Sequence, residues 1–254
     1  MLIENTLFGI ENKVNKAIEI LKYFEPSEGY YVAFSGGKDS IVIKDLCKQS
    51  GVKYETHYQN TTIDPPELTA FIRQQHPDVI QHYPPRSYFE ELIKHGFPMR
   101  QNRWCCEYLK EKGGDNRIVI TGIRTQESAR RKKRRQFEYC NKRYTGKKFL
   151  HLIFHWSLLE VWEYIKRYEL PYCKLYDEGW DRIGCIACPS ASNKKRKEEM
   201  ERYPKIEKAY KKAFSRLWDA HSDRSSFVRG KSWEEMYHWW MTNESPEEDG
   251  GLFD

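Results

Sequence analysis

Tyr30-Tyr31-Val32-Ala33-Phe34-Ser35-Gly36-Gly37-Lys38-Asp39-Ser40 is the stretch that decides the fold. An apolar run of strand type ends at Phe34, a Ser-Gly-Gly turn follows, and Ile41-Val42-Ile43-Lys44-Asp45-Leu46 restarts as a helix. Strand, glycine turn and helix together aim unpaired backbone N–H groups and a positive helix end at a phosphate. Gly36 and Gly37 let the backbone approach a ligand closely and allow positive φ. Ser35 and Ser40 add hydroxyl donors, Lys38 a point charge, and Asp39 a carboxylate able to hold Mg2+ against phosphates. The spacing fits neither the Walker loop, G-x-x-x-x-G-K-[ST], nor the dinucleotide fingerprint, G-x-G-x-x-G. Lys38 is expected in a polar turn with no core to support, so that its loss changes stability little.

Working outward, residues 7–24 read as an amphipathic helix on Ile10, Val14, Ala17, Ile18 and Leu21. After the loop helix, Gly51 stops the chain and residues 52–58 alternate as a second strand, which implies a right-handed parallel crossover. Asn60-Thr61-Thr62-Ile63-Asp64-Pro65-Pro66 then leaves the carboxyl edge of that strand, where open α/β sheets bind ligands, so Thr62 and Asp64 are candidate site residues. Asp64 is equally a natural N-cap for a helix over residues 67–75. Residues 79–83 read as a third strand, 88–94 as a helix opened by Ser87, and 102–110 as a short helix with two adjacent cysteines. Residues 117–122 form a further strand, followed at once by Arg124. Residues 149–153 read as an edge strand, and Ser157 with Glu160 as a capping box. Helices are expected over residues 198–218 and 233–241, with residues 245–254 a frayed acidic end.

A chain of 254 residues suits one sizeable core with a small appendage. No apolar run reaches membrane-spanning length, and Met1-Leu2-Ile3-Glu4-Asn5 lacks the pattern of a signal peptide. A cytoplasmic protein without a membrane partner is expected. The net charge of +6 is unevenly spread: Arg130-Arg131-Lys132-Lys133-Arg134-Arg135 is unbroken, Lys142, Arg143, Lys147 and Lys148 follow, and Lys194-Lys195-Arg196-Lys197 is a second cluster. Such runs are either solvated or meet an anion, so DNA or RNA is a candidate partner for residues 130–135. Among the seven cysteines, Cys105-Cys106 and Cys185-x-x-Cys188 give four thiolates in two tight pairs. Four cysteines hold a structural zinc or an iron–sulfur cluster, and a directly adjacent pair is unusual for zinc. Cys47, Cys140 and Cys173 read as core or loop thiols.

The turn Ser35 to Ser40 resembles the pyrophosphate loop (PP-loop) of ATP pyrophosphatases, S-G-G-x-D-S, at every fixed position. Cys105-Cys106, Gly122-x-Arg124 with Glu127-Ser128, the Trp162 helix, Pro171-Tyr172 with Leu175-Tyr176, and Gly184-Cys185-x-x-Cys188 follow in an order similar to the phosphoadenosine phosphosulfate (PAPS) reductase family. The resemblance implies an α/β fold of the adenine nucleotide alpha hydrolase type, a parallel twisted sheet with helices on both faces. Residues 1–192 would form the nucleotide-binding domain with the cysteine site, and residues 193–254 a small helical C-terminal extension. One branch of the family carries a [4Fe–4S] cluster on such a cysteine set, which implies that cluster at Cys105, Cys106, Cys185 and Cys188, with zinc second. Sulfonucleotide reductases of the family have a degenerate phosphate loop and a nucleophilic cysteine near the C-terminus. Here the loop is intact and no cysteine follows Cys188, so reduction by this chain alone is not expected. The nearer resemblance is to cluster-containing ATP pyrophosphatases such as those serving DNA phosphorothioation. It implies attack of an acceptor oxygen on the α-phosphate of ATP, pyrophosphate leaving, and sulfur transfer from a donor protein. Ser35, Gly36, Gly37 and Ser40 would cradle the pyrophosphate, while Lys38 and a Mg2+ near Asp39 offset its charge. Arg124 beside Gly122, with Thr62 and Asp64, would face the nucleotide or acceptor. The competing readings are a sulfate-assimilation enzyme (a reductase or an ATP sulfurylase-like adenylyl transferase) and a non-catalytic nucleotide- and DNA-binding module.

Overall fold

The computed structural model describes residues 2–6, 9–140, 145–224 and 229–243. Lys142, Arg143 and the acidic residues 245–254 lie outside the described residues. The chain opens as an antiparallel hairpin, β1 (Ile3–Thr6) and β2 (Gly9–Asn12), followed by α1 (Lys13–Tyr23). This corrects the helix expected from residue 7. Gly9 has φ of 115°, and the Asn12 side chain accepts from the amides of Val14 and Asn15, so the helix is capped at residue 12. Next come β3 (Tyr30–Phe34), α2 (Lys38–Ser50), β4 (Tyr54–Gln59), α3 (Pro66–Gln75), β5 (Ile80–His82) and α4 (Tyr88–His95). A π-helical turn, Cys106–Lys110, precedes β6 (Ile118–Thr121), α5 (Ala129–Lys132), β7 (Phe137–Tyr139), β8 (Lys148–His151) and α6 (Leu158–Arg167). The chain continues with α7 (Asn193–Arg202), α8 (Pro204–His221) and α9 (Trp233–Thr242). The single helix expected over 198–218 is thus two, because Pro204 has no amide hydrogen to continue α7 and instead starts α8.

The main sheet has the order β5-β4-β3-β6-β8-β7, and every pairing is parallel except β7 with β8. The architecture is a mostly parallel sheet with helices on both sides. The strand expected at the edge, β8, lies inside, and the edge on that side is β7, three residues that begin one residue after the basic run. Val32, Ile120 and Leu150 form one row across β3, β6 and β8. That row packs with Ala17 and Leu21 of α1, Val42, Ile43 and Leu46 of α2, and Val161 and Ile165 of α6. Full burial of each such side chain contributes about 1.5–3 kcal/mol, so this cluster carries much of the fold. From β3 the chain moves outward through β4 and β5, then returns to lay β6 on the other side of β3. That reversal sets the carboxyl ends of β3 and β6 side by side, the switch point where open α/β sheets bind ligands.

The chain divides into two compact units. The first comprises residues 1–59, 66–82 and 113–183 and contains the sheet. The second comprises residues 60–65, 83–112 and 184–254. Its buried residues include Tyr88, Leu92, Phe97, Ile186, Tyr210, Phe214 and Trp240. The division therefore differs from a single boundary after residue 192: the second unit gathers three separate segments, and both cysteine pairs belong to it. No helix among the described residues is long and apolar enough to cross a membrane.

Candidate functional site

In the first unit, β3 ends at Phe34 and α2 begins at Lys38, with Gly37 in the N-cap position. Gly36 has φ of 69°, and a Cβ there would stand 2.8 Å from side-chain atoms of Ile72 and Leu68, so only glycine fits. Hydroxyls tie the turn: Ser40 Oγ donates to the Gly37 carbonyl at 2.7 Å and accepts from the Ser35 amide at 3.2 Å. Lys38 is 5% exposed. Its ammonium donates to the Asp181 carbonyl at 2.8 Å, and its amide donates to the Tyr176 hydroxyl at 3.0 Å. This corrects the expectation that Lys38 supports nothing: residues far along the chain bury and hold it. Burial lowers the pKa of its ammonium, and the neighbouring Asp39 carboxylate opposes that shift.

Arg124, 4% exposed, follows β6 and places Nε 2.6 Å from Asp39 Oδ1. Its backbone is fixed in turn, since its amide donates to Glu127 Oε2 at 2.8 Å. Gly122 permits the approach, because a Cβ there would lie 2.9 Å from the Cβ of Asp39. The switch point therefore brings together Ser35, Gly36, Gly37, Lys38, Asp39, Ser40, Gly122 and Arg124, as expected from the strand ends. Sequence reasoning did not assign the contacts of Tyr176 and Asp181. The Leu175-Tyr176 pair was visible as a motif, without any sign of what it holds.

Thr62 and Asp64 fall in the second unit. Thr62 adopts φ of 65°, unusual for a β-branched residue, and its hydroxyl accepts from the Tyr88 amide at 2.9 Å, at the start of α4. The Asp64 carboxylate accepts from the Thr61 amide at 3.1 Å. Both side chains thus have structural work inside that unit, where the sequence suggested nucleotide contact.

The four paired cysteines are free and half-buried. Cys105 is hydrogen-bonded to Cys106, which pushes the Cys105 thiol up and holds Cys106 down, the latter with help from Lys110 and Arg103. Cys105 also lies in the field of Cys185 and Cys188. Burial pushes Cys185 up to about 12, opposed by the Lys110 ammonium. Cys185 Sγ donates to Thr61 Oγ1 at 3.4 Å. Among the described residues no group of three or more His, Cys, Asp or Glu side chains is placed to hold a metal ion. The expected four-cysteine ligand set is therefore not closed into a metal-holding group: Cys105 and Cys106 bond to each other, and Cys185 bonds to Thr61 and Lys110. The intervening turn is held firmly. Ala187, at φ of 54°, donates its amide to Glu199 Oε2 at 2.6 Å, and the Tyr210 hydroxyl donates to the Ile186 carbonyl at 3.0 Å.

The basic run is only partly free for a partner. Arg131 pairs with Glu127 and Arg134 with Glu138, whereas Arg130, Lys132, Lys133 and Arg135 are exposed.

A family model described as phosphoadenosine phosphosulfate reductase domain matches residues 29–191. An adenosine 5'-phosphosulfate reductase of Oceanobacillus iheyensis is 30% identical over 200 residues, covering 71% of this chain and 80% of that one. An uncharacterized protein of Methanocaldococcus jannaschii is 29% identical over 244 residues, 88% of this chain; the chain spans about half of that relative's length, 50%. Among solved structures, a PAPS reductase of Candida auris in a phosphate complex aligns with a TM-score of 0.51 at 19% identity, covering 68% of this chain and 87% of that one. At that identity the likeness speaks for the fold alone.

Proposed function

The chain belongs to the phosphoadenosine phosphosulfate reductase family, one of nucleotide-binding enzymes, and we propose that it acts as an ATP pyrophosphatase that activates an acceptor for sulfur transfer. The observation that carries this is the intact turn Ser35 to Ser40 with a buried lysine and an Arg124–Asp39 ion pair at its mouth. An acceptor oxygen would bond to the α-phosphorus of ATP while the bond to the β-phosphate oxygen breaks and pyrophosphate leaves. The amides and hydroxyls of the turn would bind the pyrophosphate, and Lys38 and Arg124 would meet the charge that develops on it, a matter of positioning and electrostatics. Asp39, whose carboxylate Arg124 already orients, would be the residue to hold a Mg2+ ion, which would supply charge neutralisation to the phosphates.

The donor set of Cys105, Cys106, Cys185 and Cys188, four thiols in one unit with Cys105 in the field of the other three, suits the chemistry of a [4Fe–4S] cluster, with zinc second. Such a cluster would cross-link the segments that carry it. The exposed cations Arg130, Lys132, Lys133 and Arg135 support a nucleic acid as the acceptor, and a separate protein would donate the sulfur.

A second reading, sulfonucleotide reduction, is favoured by the similarity to an adenosine 5'-phosphosulfate reductase over 80% of its length. Against it stands the intact turn Ser35 to Ser40, with Lys38 and Arg124 beside it. Anaerobically prepared protein should release pyrophosphate from ATP with DNA or RNA present, and no sulfite from a sulfonucleotide with a thiol. The reverse result would replace the first reading by the second.

A further inference from the structure

Arg196 sits in the first turn of α7 and is 2% exposed. Its Nε and Nη2 have no hydrogen-bond partner. Nη1 reaches the Met241 carbonyl only at 3.5 Å, and the guanidinium lies 4.1 Å from the centre of the Trp240 ring. A desolvated cation is costly unless an opposite charge or full hydrogen bonding meets it, and one ring contact with one long carbonyl contact falls short of that. Three residues on, Glu199 of the same helix grips the Ala187 amide, so this side of α7 addresses the Cys185-to-Cys188 turn. Tyr210 of α8 holds the same turn through Ile186. The guanidinium lies in the field of Cys188 and of the Tyr88, Tyr210 and Tyr237 hydroxyls. Four thiolates around a dication or a cluster keep a net negative charge, which an apolar interior must balance.

We propose that Arg196 is the internal counter-cation of the metal–thiolate group assigned to Cys105, Cys106, Cys185 and Cys188. The inference rests on that assignment. Arg196 lies beyond residue 191, where the family match ends, so it is a feature of this chain's C-terminal helices. It acts as a positioning residue: it sets how tightly the group is retained and, for a cluster, how readily it accepts an electron.

The test compares parent, Arg196→Met and Arg196→Lys, each metal-free and metal-loaded. Removing an unmatched buried charge should leave metal-free Arg196→Met melting at the parental temperature or above. The loaded variant should lose its metal to a chelator at least tenfold faster than the parent, while Arg196→Lys stays near it. With a cluster, Arg196→Met should also shift the oxidised-to-reduced ratio about tenfold at a fixed potential, roughly 59 mV downward for one electron. Unchanged retention and potential would overturn the proposal. So would parallel destabilisation of metal-free and loaded protein, which would make Arg196 a packing partner of Trp240. Absence of metal from the parent would overturn the cysteine assignment and this inference with it. Metal in the parent with an indifferent variant overturns this inference alone.

Discussion

The Lys38 ammonium is bound to the Asp181 carbonyl while its amide is held by the Tyr176 hydroxyl, so one residue joins the phosphate turn to a distant loop. Lys38→Ala should therefore do two things. Pyrophosphate release should fall roughly a hundredfold or more, the usual worth of a preorganised cation facing developing charge. Stability should fall by about 1–2 kcal/mol, because the Asp181 carbonyl loses its donor. Steady-state pyrophosphate release and urea unfolding check both, and release at the parental rate would leave Lys38 a structural residue. The turn itself was legible from sequence because strand, glycines and helix are contiguous. The burial of Lys38 was not, because its partners lie 138 and 143 residues away and nothing local announces them.

The elements show the same division between local and distant causes. Capping made α4 and α6 readable, each closed by a Ser–Glu box. The helical spacing of Val14, Ala17 and Leu21 is equally local, but extending it back across Gly9 hid the β1–β2 hairpin. β7 was missed because its strand character shows only through pairing with β8. α5 sets the geometry of the basic segment: Arg131 within it and Arg134 just after it are taken by Glu127 and Glu138. Neutralising the exposed Arg130, Lys132, Lys133 and Arg135 should flatten the dependence of log affinity for DNA on log salt by up to roughly 0.9 per charge. Neutralising Arg131 and Arg134 should weaken the fold locally and change that slope less. Equal slopes for parent and the fourfold variant would return these cations to the role of solvated surface.

At the scale of the whole molecule, two buried histidines tie stability to pH. Burial, and then the Lys44 ammonium, lowers His76 to about 4, and burial, then Arg134, lowers His151 to about 4. Both are neutral in the folded chain and titrate near 6.5 when unfolded, so the unfolded chain binds more protons between those values. Stability should thus be fully present above pH 6.5 and fall as pH drops toward 4, by an order-of-magnitude 3 kcal/mol per histidine. Urea midpoints at pH 7.5 and 5 measure the loss, and a flat profile would refute it. The parallel sheet was legible from alternating strand and helix signals. The partition into two units was not, because composition does not reveal that residues 60–65, 83–112 and 184–254 belong together. That interleaving sets an order of events during synthesis. The second unit cannot close until residues 184 onward have been made, although Cys105 and Cys106 leave the ribosome 79 residues before Cys185. At ordinary elongation rates the nascent chain carries the earlier cysteine pair alone for roughly 4–16 s, so any ligand that needs both pairs could be taken up only after that interval.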